Sequence, residues 1–427
     1  MKSDVVLFGA TGFTGRLVAE YLAAHAPSGF RWAMAGRNRE KLEEIRRALG
    51  PAAAEVPLIV ADAQDAAALQ KIAEETKVVC TTVGPFALHG RRLARACAKA
   101  GTHYCDITGE VNFVRASIDE NHVVAKESGA RIVHCCGFDS IPSDLGTLML
   151  AETFAERFQQ KLGRVKFFAG ETSGGFSGGT IASMLQLLDA AKQDRALRKL
   201  LRDPYSLSPD RKSDLDLDGP DSVRVRWEPS LQRVAGPFVM AAVNTRIVRR
   251  SNALAGFAYG RKFRYSEEMT FGRGPRAWVT AAAVVAGLGA FLKAATFAPT
   301  RMLLDRYLPG PGDGPDAAAR KRGFFKIRIV AESEDGREKL LGRVEGTSDP
   351  GYGETAKMLS ETAMALAAED RSAGGVLTPA TALGMKLVTR LRNAGMVFTV
   401  EPLPGSTSSS AGVGKSPAAP QPSSLDG

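Results

Sequence analysis

The first third of the chain alternates short apolar runs with amphipathic segments. Residues 4–8, 30–36, 56–62, 77–83, 102–106 and 130–136 read as buried strands. Between them, residues 16–22, 40–49 and 91–100 carry apolar positions at helical spacing, and Gly50-Pro51 and Gly101 stop two of these helices. Six strand units with helical crossovers predict an α/β fold, a doubly wound parallel sheet complete by about residue 150. Beyond it the rhythm changes. A strand is expected over 162–170, a helix from Ile181, an exposed Asp/Ser/Pro-rich loop over 203–222, and strands over 223–227 and 243–248. Residues 277–292 are uncharged and mostly apolar, 324–331 alternate like a strand, and 338–344 return after a turn at Gly336. A helix then runs to Ala368, and the stretch 374–382 starts another that ends near Gly395. From Pro402 on, Ser, Pro and Gly dominate. The expected organisation is therefore 1–150, 151–346, 347–400, and a disordered tail over 401–427.

The first strand runs into Gly9-Ala10-Thr11-Gly12-Phe13-Thr14-Gly15, which opens the first helix. A strand, a glycine turn and a helix start form a dinucleotide-binding loop. Gly9 permits the sharp turn, Gly12 lets backbone N–H groups approach a pyrophosphate, and Gly15 packs helix on strand. Thr11, Phe13 and Thr14 complete the loop at a helix end whose partial positive charge suits phosphates. The second strand ends in Gly36-Arg37, where NAD-preferring folds carry an acid. A guanidinium pairs with a 2′-phosphate that a carboxylate would repel, so NADP(H) is the expected cofactor. Asp62, ending the third strand, is placed either at the adenine amino group or as a cap of the next helix. Val83-Gly84-Pro85-Phe86 follows the fourth strand and lines the nicotinamide crevice. There Gly84 allows close approach, Pro85 stiffens the loop, and Phe86 either borders the ring or plugs the core.

A second glycine-rich turn, 172–180, precedes the helix from Ile181. Ser177, Gly178, Gly179 and Thr180 are read as a substrate-facing loop, the alternative being a tight strand-to-helix turn. No Gly-Lys-Ser/Thr follows, so it is not a nucleotide P-loop. The chain has 427 residues and a net charge of +10. Residues 1–150 carry 17 basic and 17 acidic residues; the remaining 39 and 29 place the whole excess in the later part, suited to an acidic substrate, an acyl carrier or an anionic membrane. No basic-aromatic stripe or binding motif points to nucleic acid. The five cysteines (80, 97, 105, 135, 136) make no Cys-x-x-Cys pair. They read as buried, reduced thiols rather than metal ligands, and with Lys2 and Asp4 in place of a leader they imply a cytoplasmic location. The 277–292 run is short for a bilayer span and is expected to be a core helix or a peripheral membrane element flanked by Arg276 and Lys293. Whether the chain forms a homodimer is left open.

The ordered blocks 9–15, 35–37, 83–86, 104–110 (Tyr-Cys-Asp-Ile-Thr-Gly-Glu) and 137–144 (Gly-Phe-Asp-Ser-Ile-Pro-Ser-Asp) resemble the saccharopine dehydrogenase-like oxidoreductases. The blocks 173–180 and 349–358 (Asp-Pro-Gly-Tyr-Gly-Glu-Thr-Ala-Lys-Met) are similar to the trans-acting enoyl reductase branch of actinobacterial lipid synthesis, and the resemblance covers about residues 3–400. It implies an NADP-binding Rossmann domain, a second α+β domain with a mixed sheet, and C-terminal helices that return to the first domain. It also implies an NADPH-dependent reduction of a C=C bond conjugated to a thioester on a small-molecule or carrier-bound acyl substrate. Two other readings are an imine oxidoreductase of the saccharopine type and a non-catalytic NADP-binding, lipid-associated protein. A short-chain dehydrogenase is disfavoured, since none of the seven tyrosines has Lys four residues on. Enolate donors are sought at the Gly84 or Gly178-Gly179 amides, and the proton donor among Tyr104, Ser140, Tyr352 and water.

Overall fold

A computed structural model describes residues 2–173, 178–297, 300, 317–368 and 373–404. Strands β1 (Ser3–Phe8), β2 (Trp32–Gly36), β3 (Leu58–Val60), β4 (Thr76–Thr81), β5 (His103–Asp106) and β6 (Arg131–Val133) come first. β7 (Leu162–Ser173), β8 (Arg226–Glu228), β9 (Arg233–Pro237), β10 (Arg264–Gly272), β11 (Phe324–Ser333) and β12 (Lys339–Gly346) follow, then β13 (Gly375–Leu377) and β14 (Val397–Pro402). They form two seven-stranded sheets. The first has the order β13-β6-β5-β4-β1-β2-β3 and is parallel throughout. The second, β14-β12-β11-β7-β10-β9-β8, is mixed: β7 and β10 run parallel and the other pairs antiparallel.

The apolar runs of the first sheet are continuous because both of its faces are covered. Val5 and Leu7 pack with Leu17, Val18 and Leu22 of helix Phe13–His25 on one face. Val6 and Phe8 pack on the other with Leu69 and Ile72 of helix Ala66–Glu74 and with Leu93 of helix Arg91–Ala100. Helix Ile141–Phe158 joins the two sheets. Leu145, Met149 and Leu150 share a core with Val165, Ile327, Ile329 and Val344 of the second sheet, and a side chain at Gly146 would collide with Ile329. The C-terminal segment then serves both sheets. Helix Thr355–Ala368 packs on β1, β4, β5 and helix Phe13–His25; β13 extends the first sheet beside β6; helix Pro379–Asn393 lies on helix Ile141–Phe158; β14 extends the second sheet beside β12.

Several expectations need correction. Residues 243–248 are not a strand but the middle of helix Ala241–Leu254; the apolar run is too short for periodicity to separate the two, and the buried arginines 246, 249 and 250 recur at helical spacing. Residues 223–227 yield strand only from Arg226, as β8. The 203–222 stretch is not simply exposed: Tyr205 and Leu207 are buried, and Arg246, Arg249 and Arg250 bond to Asp221, Asp218 and the Leu207 carbonyl. The 277–292 run is no core helix. It lies within helix Gly274–Thr296, which exposes Trp278, Val279 and Val284. Residues 405–427, which hold most of the expected tail, lie outside the described residues.

Candidate active site

The glycine loop is hooked between neighbouring strands. The Gly9 and Ala10 amides donate to the Ala35 carbonyl at 2.9 and 3.2 Å, tying the loop to β2. Gly9 has φ +96°, a left-handed conformation, and a Cβ there would lie 2.6 Å from Val83. Gly15 packs so closely that its Cβ would strike the Gly9 carbonyl. The Gly12 amide, expected to face a pyrophosphate, instead donates to the Gly9 carbonyl at 3.0 Å and closes the turn. Helix Phe13–His25 has no side-chain cap at Gly12 and no acid in its first turn, so the Phe13 and Thr14 amides begin a helix with its positive end uncompensated. Thr11 packs at the end of β2, 3.4 Å from where a Gly36 Cβ would stand.

Arg37 sits at that strand end with its side chain 80% exposed, 4.0 Å from the half-exposed Asp62 carboxylate. Of Asp62's two readings, capping belongs to Asp65, which accepts from the Ala67 and Ala68 amides; Asp62 only turns back to Gln64 N at 2.8 Å. Asp62 thus stays beside the Arg37 guanidinium at the end of β3.

At the nicotinamide side, three loops leave the C-terminal ends of β4, β5 and β6. The Gly84 amide donates to the Thr82 carbonyl at 3.1 Å, so it is not the enolate donor sought there. Phe86 is buried against Phe113, with ring centroids 5.8 Å apart, and plugs the core rather than bordering the cofactor. Val83 and Pro85 are partly buried and Gly84 is exposed, so residues 83–85 are the part of this loop that meets solvent. Glu110, the last residue of the 104–110 block, organises this region. Its carboxylate accepts from the Phe86 and Ala87 amides, both at 2.8 Å, and from the Ser183 hydroxyl at 2.9 Å. The last bond brings helix Gly178–Gln193 of the later part of the chain onto the crevice. Gly178 and Gly179 begin that helix, and residues 174–177 of the glycine-rich turn before it lie outside the described residues. Ser177 lies outside the described residues, as does the side chain of Thr180.

The three candidate proton donors separate. Tyr104 is fully buried among the helices behind β5, and burial, with the nearby Asp106 carboxylate, pushes its phenol well above the ordinary value. It cannot meet a substrate. Ser140 is likewise fully buried, and its hydroxyl donates to Asn244 Oδ1 at 2.9 Å. Tyr352 is 4% exposed but stands edge-on to Phe13 with centroids 4.6 Å apart, which sets the turn Pro350–Glu354 against the cofactor helix. Asp349 holds that turn by accepting from the Tyr352 amide at 3.0 Å. A fourth acid, Asp139, was not singled out from the sequence. It is partly buried on the loop after β6, its Oδ2 3.8 Å from where a Gly109 Cβ would stand, and burial raises its carboxyl to about 6. His134 is occupied structurally, bonding Asp106 at 2.7 Å and Ser117 at 2.8 Å. The five cysteines are buried and free.

An uncapped helix start behind β1, a cation after β2 and a crevice at the ends of β4–β6 define an NADP-binding oxidoreductase of the Rossmann class. Residues 5–133 match the family described as "Saccharopine dehydrogenase NADP binding domain". Over 409 residues the chain is 45% identical to a candidate trans-acting enoyl reductase of Mycobacterium tuberculosis, spanning 92% of this chain and 96% of that one. It is 43% identical over 411 residues to a trans-acting enoyl reductase of Mycobacterium bovis, spanning 92% and 97%. Apo saccharopine dehydrogenase (L-Glu forming) from Saccharomyces cerevisiae shares the fold with a TM-score of 0.50 at 13% identity, over 93% of this chain and 99% of that one. The chain belongs to the trans-acting enoyl reductase family within the saccharopine dehydrogenase-like oxidoreductases. Its cofactor is NADP(H).

Proposed function

We propose that this protein reduces the C=C bond of an α,β-unsaturated acyl thioester, presented on a carrier by a separate lipid or polyketide synthase in the cytoplasm. The observation that carries the reading is the similarity to trans-acting enoyl reductases over 92% of this chain. Bound NADPH supplies a hydride to the β-carbon. The protein's own residues bind, orient and protonate. Arg37 reads the 2′-phosphate, and the Phe13 and Thr14 amides take the pyrophosphate. Residues 83–85, held by Glu110, wall the crevice. The amides at the start of helix Gly178–Gln193 are placed for the thioester carbonyl, where charge develops. Tyr352 and Asp139 are the acids near enough to the crevice to serve the α-carbon, and Asp139, with its carboxyl raised by burial, holds a proton at mildly acid pH.

The test is NADPH oxidation followed with a 2-enoyl thioester and, separately, with lysine plus a 2-oxo acid. Consumption with the thioester alone is the expected result. Turnover of the amino acid mixture alone would overturn this reading and favour imine reduction.

A further inference from the structure

We propose that helix Gly274–Thr296 is a docking surface for an anionic lipid bilayer, on which the protein lies without spanning it. The proposal is independent of which reaction the crevice performs. The helix is 23 residues long, yet only 11% of its most apolar stretch is buried. One narrow line of small residues, Ala277 and Ala281, packs on Val234 of β9. Away from that line the helix presents Trp278 and Val279 at 43% and 70% exposure, and Val284, which continues the line seven residues after Ala277, is still 42% exposed. An apolar face this extensive is unusual on a soluble surface and marks an interaction site.

Two further observations choose the partner. The first is charge. From Met269 to Leu304 the sequence has no Asp or Glu, while Arg273, Arg276, Lys293 and Arg301 bracket the apolar stretch. Cations at the ends of an apolar helix match anionic headgroups around an acyl interior. The second is the tryptophans. Trp227 of β8 pairs with Val234 across the ladder, so it stands on the sheet face that carries the helix, and it is 42% exposed. Trp227 and Trp278 thus stand on one side of the molecule, with Arg273, which donates to the Gln232 carbonyl between β8 and β9, beside them. Indoles favour the headgroup level, where the ring is apolar and the N–H is wet. The packing of Ala277 and Ala281 on β9 keeps the helix alongside the sheet, so it dips into a leaflet by one face.

The geometry also supplies the readout. Trp32 is buried, which leaves Trp227 and Trp278 as the exposed fluorophores among three tryptophans. Full-length protein is mixed with vesicles of phosphatidylcholine, or of equal parts phosphatidylcholine and phosphatidylglycerol. Expected are flotation with the anionic vesicles, a blue shift of tryptophan emission, quenching by brominated acyl chains, and release by high salt. The double variant Val279→Glu, Ala283→Glu, at exposed positions four residues apart on the face turned away from β9, should partition at least about tenfold less, as like charges come to face the lipid. NADPH binding reports that this variant is folded, and quenching in the unmodified protein tests the proposal without any variant. Absence of quenching and flotation at every composition overturns it. So does unchanged partitioning of the double variant, or retention after alkaline carbonate washing, which would make the helix a span. A concentration-dependent dimer abolished by the double variant, with no vesicle binding, would assign the face to a second copy of this chain instead.

Discussion

Arg37 and Glu110 show how differently two charged residues can serve one site. Arg37 is exposed, and its 4.0 Å contact with Asp62 is of the kind that adds little to stability. Its use is therefore in binding. Arg37→Ala should weaken NADPH by about tenfold to a hundredfold, the worth of a charge-assisted contact, leave NADH nearly unchanged, and barely move the melting temperature. Equal losses for the two cofactors, measured by fluorescence titration, would show that Arg37 does not read the 2′-phosphate. Glu110 is buried and holds three donors from two parts of the chain. In Glu110→Gln one oxygen becomes an amide N–H and faces a donor. The loop 84–87 and helix Gly178–Gln193 should both loosen, so kcat with the enoyl thioester should fall more than NADPH affinity does, with about 1–3 kcal/mol of stability lost. An unchanged kcat would reduce Glu110 to a structural cap. The place of Arg37 was legible from the sequence because it depends only on where a strand ends; its role is what the titration tests. Glu110 stood inside a recognised block, yet its role depends on reaching Phe86 and Ser183, 24 and 73 residues away, and spacing along the chain carries no such information.

At the scale of elements, the Rossmann half was legible because its inner strands are buried on both faces and its helices show one apolar side. Helix Ala241–Leu254 was not. Its Val243, Ile247 and Val248 suggest a strand, and the ordinary expectation that arginine is exposed hides what Arg246, Arg249 and Arg250 do. They are buried, and they tie down loop 203–222 through Asp221, Asp218 and backbone carbonyls. Arg250 donates to the Leu207 carbonyl at 2.7 Å and the Val376 carbonyl at 2.6 Å, fastening that loop and β13 to one helix. Burial is expensive for the cation and draws its pKa down to about 9. Arg250→Ala should therefore cost about 2–4 kcal/mol in urea unfolding, because two buried carbonyls lose their donors. Arg337→Ala, at a side chain 84% exposed, should stay within about 0.5 kcal/mol. Similar losses for the two would mean that water replaces the Arg250 bonds and that the loop is not fastened there.

The whole molecule is joined at a seam where helix Ile141–Phe158 meets the second sheet and the C-terminal helices, and that seam holds two buried acids. Glu267 of β10 accepts from Asn244 at 3.0 Å and Tyr265 at 2.8 Å, and Asn244 in turn receives the Ser140 hydroxyl. Asp144 accepts from Ser251 and from the Ala380 amide, joining three helices. Burial raises both carboxyls to about 7, against model-compound values of 4.5 and 3.8. A folded-state pKa above the unfolded one means that the fold holds the proton more tightly. Stability is then full below the ordinary carboxyl range and falls as pH rises toward about 7, where the unfolded chain has already released its proton. Glu228 acts in the opposite sense. Ser230, Arg226 and Lys166 outweigh its burial and hold it down to about 2, so its contribution is lost only in strong acid. Stability should thus peak near pH 4–5 and decline toward neutrality by an amount on the order of 3 kcal/mol for Glu267 alone. Glu267→Gln keeps a neutral partner for Asn244 and Tyr265 and should flatten much of that decline, leaving the share due to Asp144. Urea unfolding at a series of pH values measures both curves. If the unmodified protein is equally stable at pH 5 and pH 8, or if Glu267→Gln keeps the full slope, the acid at the seam is solvated enough to ionise freely and the two halves are joined by packing alone.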